Sequence, residues 1–241
     1  MKFVSVIRQS PIVNHHSLFV ICQSSIFTRQ FLSILPFDIV DLIAYHMQRM
    51  KLPSMCNESW VALDFETATR ERNSACAIGL AFGRRTEIIG KASALIKPPG
   101  NKFEEFHSSL HGIDASTVER ERTFPELWPE LIPAFSEVVV LAHNATFDIS
   151  VLQSSLDAYG LAYPSIQYYC TVDFARKMWP TLRNHKLNTV AEHLGINFRH
   201  HDAEEDASVC ARVVIECMKI TGLEDIKLLA KTLGVQARYI C

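Results

Sequence analysis

The sequence predicts an α/β domain, a mixed β-sheet with helices on its faces, preceded by an extra N-terminal segment. Three observations carry this reading. Apolar runs rich in β-branched and aromatic residues open the domain, strand-like and helix-like runs then alternate, and glycine or proline stands at the joints. Consecutive strands followed by strand–helix alternation call for an antiparallel meander continued by parallel strands.

The elements follow in order. Residues 60–66 form the first strand, 74–82 the second and 87–96 the third, with Gly83 and Gly90 permitting a turn or bulge. Pro98, Pro99 and Gly100 end this meander. A helix over 125–135 starts at Pro125 and leads into a short buried strand at 138–141. A helix over 146–159 is stopped by Gly160, and residues 168–171 read as a further short strand. Helices over 172–178, 188–194 and 203–221 complete the pattern, the last two closed by Gly195 and Gly222. The domain is therefore expected over residues 58–225, with 226–241 as a C-terminal tail.

Residues 1–57 read differently. They hold five basic and two acidic residues, leaving 19 basic and 24 acidic residues of the chain's 24 and 26 for the remainder. Pro36 followed by Ile39, Leu42, Ile43, His46, Met47 and Met50 has the period of one amphipathic helix. A docking helix, a membrane-surface helix and translation from too early a start codon all fit this segment. Met55 lies just before the first strand of the domain.

Composition sets outer bounds. In 241 residues, 48% hydrophobic and 21% charged content excludes a disordered chain, and nine Gly with ten Pro exclude a collagenous one. A net charge of −2 gives no global basic field, so a nucleic-acid partner would have to be held by a local site. The seven cysteines are scattered without a C-x-x-C pair, which fits free thiols in a reducing cytoplasm better than disulfides or a zinc knuckle. The longest uncharged stretch, 9–28, is interrupted by Asn14, His15, His16 and Gln23, so no membrane span is expected.

Chemistry concentrates at three places. Asp64 and Glu66 are two apart in an apolar strand, which sets both carboxylates on one face while Val61, Leu63 and Phe65 fill the other. Spacing alone fits equally an edge strand with two solvated acids and a pair that needs a cation. Asp148 follows in the first turn of a helix, where a buried strand ends and ligand sites gather in open sheets. Finally, Asp202 and Glu205 have capping-box spacing, which makes His201 N′ and Asp206 N4, the two positions a hydrophobic staple brings together. Asp206 also heads the stripe Val209, Val213, Cys217 and Ile220, so it is expected to face the sheet, where a divalent metal shared with Asp64 and Glu66 would balance it.

These three segments, D-x-E at 64–66, H-N-A-x-F-D at 143–148 and H-x-A-x-x-D at 201–206, resemble the exonuclease motifs of the DEDDh family. The likeness covers about residues 59–221 and includes His111-Gly112-Ile113 and the segment 185–195. It is similar to the DnaQ-like group, which contains the proofreading epsilon subunit of bacterial DNA polymerase III. The resemblance implies a ribonuclease-H-like fold and hydrolysis of phosphodiester bonds from the 3′ end of single-stranded nucleic acid, DNA favoured over RNA. It implies that Asp64, Glu66, Asp148 and Asp206 hold two Mg²⁺ or Mn²⁺ ions and that His201 is the general base. RNA or oligonucleotide trimming, or a non-catalytic subunit serving a DNA polymerase, are the alternatives.

Other residues carry weaker expectations. Thr67 would contact the terminal nucleotide through its backbone N–H, and Phe65 and Phe147 would stack on bases, although packing explains both rings as well. Asn144 suits substrate binding and turn stabilisation equally. His111, His143 and His193 read as structural. The basic residues Arg176, Lys177, Arg183, Lys186 and Arg199, against Glu192 alone, suit either a phosphate track or a solvated face.

Overall fold

A computed structural model describes residues 59–240. The helix expected over 36–50 lies outside the described residues. Six strands form one sheet: β1 (Ser59–Thr67), β2 (Ala75–Arg84), β3 (Glu87–Leu95), β4 (Val139–Ala142), β5 (Ile166–Cys170) and β6 (Arg238–Ile240). Their order is β3-β2-β1-β4-β5-β6. The meander β1–β2–β3 is antiparallel, β4 and β5 run parallel to β1, and β6 returns antiparallel on β5. A bulge falls where expected: Phe82 faces Gly90 and Gly83 faces Ile88, which leaves Ile89 as the extra residue.

The helices are α1 (Glu105–His111), α2 (Phe124–Leu131), α3 (Thr146–Ala158), α4 (Thr171–Met178), α5 (Leu187–His193), α6 (Ala203–Thr221) and α7 (Ile226–Leu233). The alternation of β1 divides the core. Val61, Leu63 and Phe65 join one cluster with Leu127 of α2 and Leu152 of α3, while Trp60 and Ala62 join another with Val214 of α6 and Phe174 of α4. α2 begins on a reciprocal capping box between Thr123 and Glu126, a signal ahead of the proline that sequence reading used as the start.

Two expectations are corrected. Residues after 225 are an integral part of the sheet domain and not a tail: Asp225 caps α7, Leu229 and Ile240 are buried, and β6 covers the edge of β5. Burying such aliphatic side chains contributes about 1.5–3 kcal/mol each. The stripe read on α6 is also too narrow. Ile220 is 60% exposed, whereas Val209 and Val213 pack toward α5, and Cys210, Val214 and Met218 pack on the sheet. A helix lying between a sheet and three other helices is apolar on most of its circumference, which blurs a 3.6-residue stripe.

One glycine governs how α6 meets the sheet. Gly79 of β2 pairs with Asp64 of β1, and a Cβ at 79 would lie 2.0 Å from the Ala203 carbonyl oxygen. The bare backbone at 79 therefore lets the first turn of α6 rest directly on β2, beside Asp64.

Candidate active site

The site forms where β1 and β4 part. Their parallel pairing stops at Ala62 and Leu141, so β1 runs on toward its C-terminal end without a strand on that side. The vacated position is filled from α3: the Asp148 carboxylate accepts a hydrogen bond from the Phe65 backbone N–H at 3.0 Å, and Asp148 is 1% exposed. Asp148 thus satisfies the strand that carries the other two acids, and it does so across 83 residues of sequence.

Carboxylate oxygens of Asp64, Glu66 and Asp206 lie within 4.8 Å of one another, as sequence reading anticipated for this trio. Glu66 and Asp206 are buried and Asp64 is half-buried. Asp148 does not join that trio. Burial raises the Asp64 carboxyl well above the usual range, with Asp148, Asp206 and Glu66 adding repulsion. Burial, then Asp206, lifts Glu66 to about 7, and burial lifts Asp148 to about 8 against the opposing pull of the Phe65 N–H. Close hard oxygen donors that resist ionisation in the bare protein fit a divalent cation, whose charge would reverse that penalty.

The loop before α6 supplies the histidines. Asp202 caps α6 by accepting from the Glu205 N–H, as the capping-box spacing predicts. His201 has φ +67°, a left-handed turn that directs its backbone N–H into the Asp206 carboxylate at 3.0 Å. Its ring Nδ1 lies 4.0 Å from Glu66 Oε1, so the imidazole overlooks the trio. Burial and neighbouring His200 lower the His201 pKa, which favours the neutral ring.

Sequence reading missed His200. Its Nδ1 is 3.1 Å from both Asp206 oxygens, its ring stacks on His201 at 4.0 Å, and the Asp206 hydrogen bond raises its pKa. The doublet His200-His201 was the available signal, but staple spacing pointed to only one member.

The remaining expectations divide. The Phe65 ring is 2% exposed within the core, so it has no free face for a base and the stacking role expected for it is withdrawn. Thr67 ends β1, is buried, and its carbonyl accepts from His111 Nε2 at 3.2 Å; that proton assignment follows because His111 Nδ1 accepts from the Ile113 N–H. Asn144 is exposed in a left-handed turn at the start of α3. Phe147 is half-buried, with the Arg72 guanidinium 4.2 Å above its ring. His143 is structural as expected: Nε2 donates to the His185 carbonyl, Nδ1 accepts from Thr171, and burial drives its pKa down to about 4. His193 packs edge-on against Trp179. In the basic stretch, Arg183 pairs with Glu192, Arg199 with Asp202, and Arg176 lies 3.8 Å from Asp173. Those pairings favour the solvated-face reading for three of its five residues.

A mixed sheet with buried carboxylates gathered at the end of its central strand defines the class, a ribonuclease-H-like domain with an acid cluster. Residues 61–214 match the family model RNase T, described as Exonuclease, and the chain belongs to that family, with Asp64, Glu66, Asp148, His201 and Asp206 in the DEDDh order. It is 31% identical over 191 residues to DNA polymerase III PolC-type of Thermotoga petrophila, covering 75% of this chain and 14% of that relative. Over 163 residues it is 30% identical to the PolC-type enzyme of Clostridium perfringens, covering 66% and 11%. The chain thus spans only a small part of the length of these relatives. Among solved structures it resembles Exonuclease X in complex with 5′ overhanging duplex DNA, with a TM-score of 0.59 at 20% identity over 72% of this chain and 99% of that one. The nuclease domain of 3′hExo, a DEDDh family member, bound to rAMP gives a TM-score of 0.60 at 20% identity over 69% and 94%. These likenesses establish the fold. No helix among the described residues is long and apolar enough to cross a membrane.

Proposed function

We propose that this protein removes nucleotides from the 3′ end of single-stranded nucleic acid, DNA favoured over RNA, with Mg²⁺ or Mn²⁺ as cofactor. The observation that carries this is the convergence of Asp64, Glu66 and Asp206 oxygens within 4.8 Å on buried backbone of an exonuclease-family domain. Asp148, beside them on α3, completes the set that would hold two cations, its role shared between ligation and the tie to Phe65. Bound divalent cations supply positive charge at the phosphoryl oxygens and a nucleophile at neutral pH.

The chain's own groups do the rest. His201, neutral and open to solvent on one side, takes the proton from the attacking water. His200 and the His201 N–H orient the Asp206 carboxylate. Asn144, on an exposed turn beside Asp148, contacts the terminal nucleotide, and Thr67 marks the strand end where its base would lie. The likeness to PolC-type polymerases supports work on 3′ ends that a DNA polymerase extends. The four described cysteines are free and buried, which suits a reducing compartment, and we place the protein in the cytoplasm.

The test is release of mononucleotides from 3′-labelled DNA and RNA oligomers run in parallel, with Mg²⁺, with Mn²⁺ and in chelator. Stepwise release from the 3′ end, dependent on the cation and faster on DNA, is expected. Cleavage that persists in chelator overturns the metal-dependent reading.

A further inference from the structure

We infer that Arg72, laid on the ring of Phe147, binds a backbone phosphate of the single strand entering the site; this rests on the nuclease reading above. Arg72 belongs to the turn that leaves β1 just after Glu66, and Phe147 immediately precedes Asp148 on α3. The guanidinium carbon lies 4.2 Å from the Phe147 ring centroid, so the cation is bracketed by the two segments that carry the acids. Phe147 is held in turn by Asp148, which is anchored to the Phe65 N–H. The charge therefore sits on the frame of the site and not on a loose loop.

Exposed Arg72, like Arg120 and Arg212, has no carboxylate partner among the described residues, and of these three it is the one laid on the ring next to Asp148. An acid cluster of this kind repels a polyanion, and a cation at its rim offsets part of that repulsion. Contact with the ring also restricts the side chain, and a guanidinium held in place can meet an oxyanion in bidentate fashion with little further ordering. The basic stretch 176–199 suits a phosphate track or a solvated face in sequence, and all three of its arginines are already beside acids.

The experiment measures binding of the full chain to a fluorescent oligothymidylate in Ca²⁺ over a salt series, with hydrolysis in Mg²⁺ followed separately. Arg72→Ala should weaken binding about tenfold. It should also make the plot of log affinity against log salt shallower by about 0.7, the share of one single-strand phosphate. Phe147→Leu should reproduce most of that loss in the wild type and add little to Arg72→Ala, because the ring acts by holding the guanidinium. Replacing successive linkages near the 3′ end with neutral methylphosphonate should find one position at which wild type and Arg72→Ala bind equally. Unchanged affinity and salt slope in Arg72→Ala, a loss that persists at every substituted linkage, or no binding by the wild type overturns the inference. Arg72-dependent binding without any hydrolysis would instead leave the inference standing and remove the exonuclease reading.

Discussion

The Asp148 carboxylate accepts the backbone N–H of Phe65 at 3.0 Å, joining the first turn of α3 to the strand that carries Asp64 and Glu66. One acid thereby serves structure and chemistry together, and two substitutions separate the roles. Asp148→Asn keeps an acceptor for the buried N–H, so it should fold with near-normal stability and lose activity. Asp148→Ala orphans that N–H and should cost about 1–3 kcal/mol as well. Thermal melts beside turnover check this, and equal stability of the two variants would show that the hydrogen bond contributes nothing.

Gly79 sets the distance between α6 and β1. A methyl group there would meet the Ala203 carbonyl oxygen at 2.0 Å, so Gly79→Ala must lift the first turn of α6, one turn from Asp206. A destabilisation of about 1–3 kcal/mol is expected, with a loss of turnover that remains at temperatures where the variant is fully folded. Gly83→Ala is the control. It crowds the Trp60 ring at 2.0 Å, away from the acids, and should destabilise without that extra loss.

Glu66 gives a pH-dependent stability with a defined sign. Its pKa rises from 4.5 in the unfolded chain to about 7 in the fold, through burial first and Asp206 second. The folded state therefore holds the proton more tightly, and the penalty for ionising is absent below about pH 4.5, grows between 4.5 and 7, and is complete above 7. In chelator, Glu66→Gln should be more stable than wild type at pH 8 by about 1–3 kcal/mol, and the difference should vanish near pH 4.5. Mg²⁺ or Mn²⁺ should raise the wild-type Tm at pH 8 and do so less in the variant. A difference independent of pH would show that Glu66 ionises normally.

His201 is the expected base and must be neutral to act. Burial and His200 lower its pKa, so turnover should hold through neutral pH and fall only below the ordinary imidazole range. His201→Ala should cut turnover by about 10²–10⁴, while cation binding, read by the Tm shift, survives. His200→Ala is the comparison: it frees Asp206 oxygens, so its defect should appear in cation affinity first. If His200→Ala rather than His201→Ala removes the acid limb of the pH profile, the two roles are exchanged.

What the sequence determined by itself is what depends on local pattern. Alternation in 60–66 put Asp64 and Glu66 on one face and Val61, Leu63 and Phe65 on the other, because strand geometry repeats every two residues. Capping-box spacing located the start of α6 at Ala203, and its αL cap at Gly222 located the end. Motif order along the chain then pointed to the family and to the acids.

Only the tertiary structure decided the rest, because those features are made by contacts between distant segments. That Asp148 secures Phe65, that Gly79 admits the backbone of Ala203, and that Arg72 lies on Phe147 are relationships across 83, 124 and 75 residues, and no period or spacing encodes them. The same holds for β6, whose three residues are too few to show alternation and become a strand only because β5 offers an open edge and α7 delivers them to it. The helix-start spacing named one histidine, whereas the turn at His201 brought His200 to the carboxylate through a left-handed backbone that spacing does not reveal.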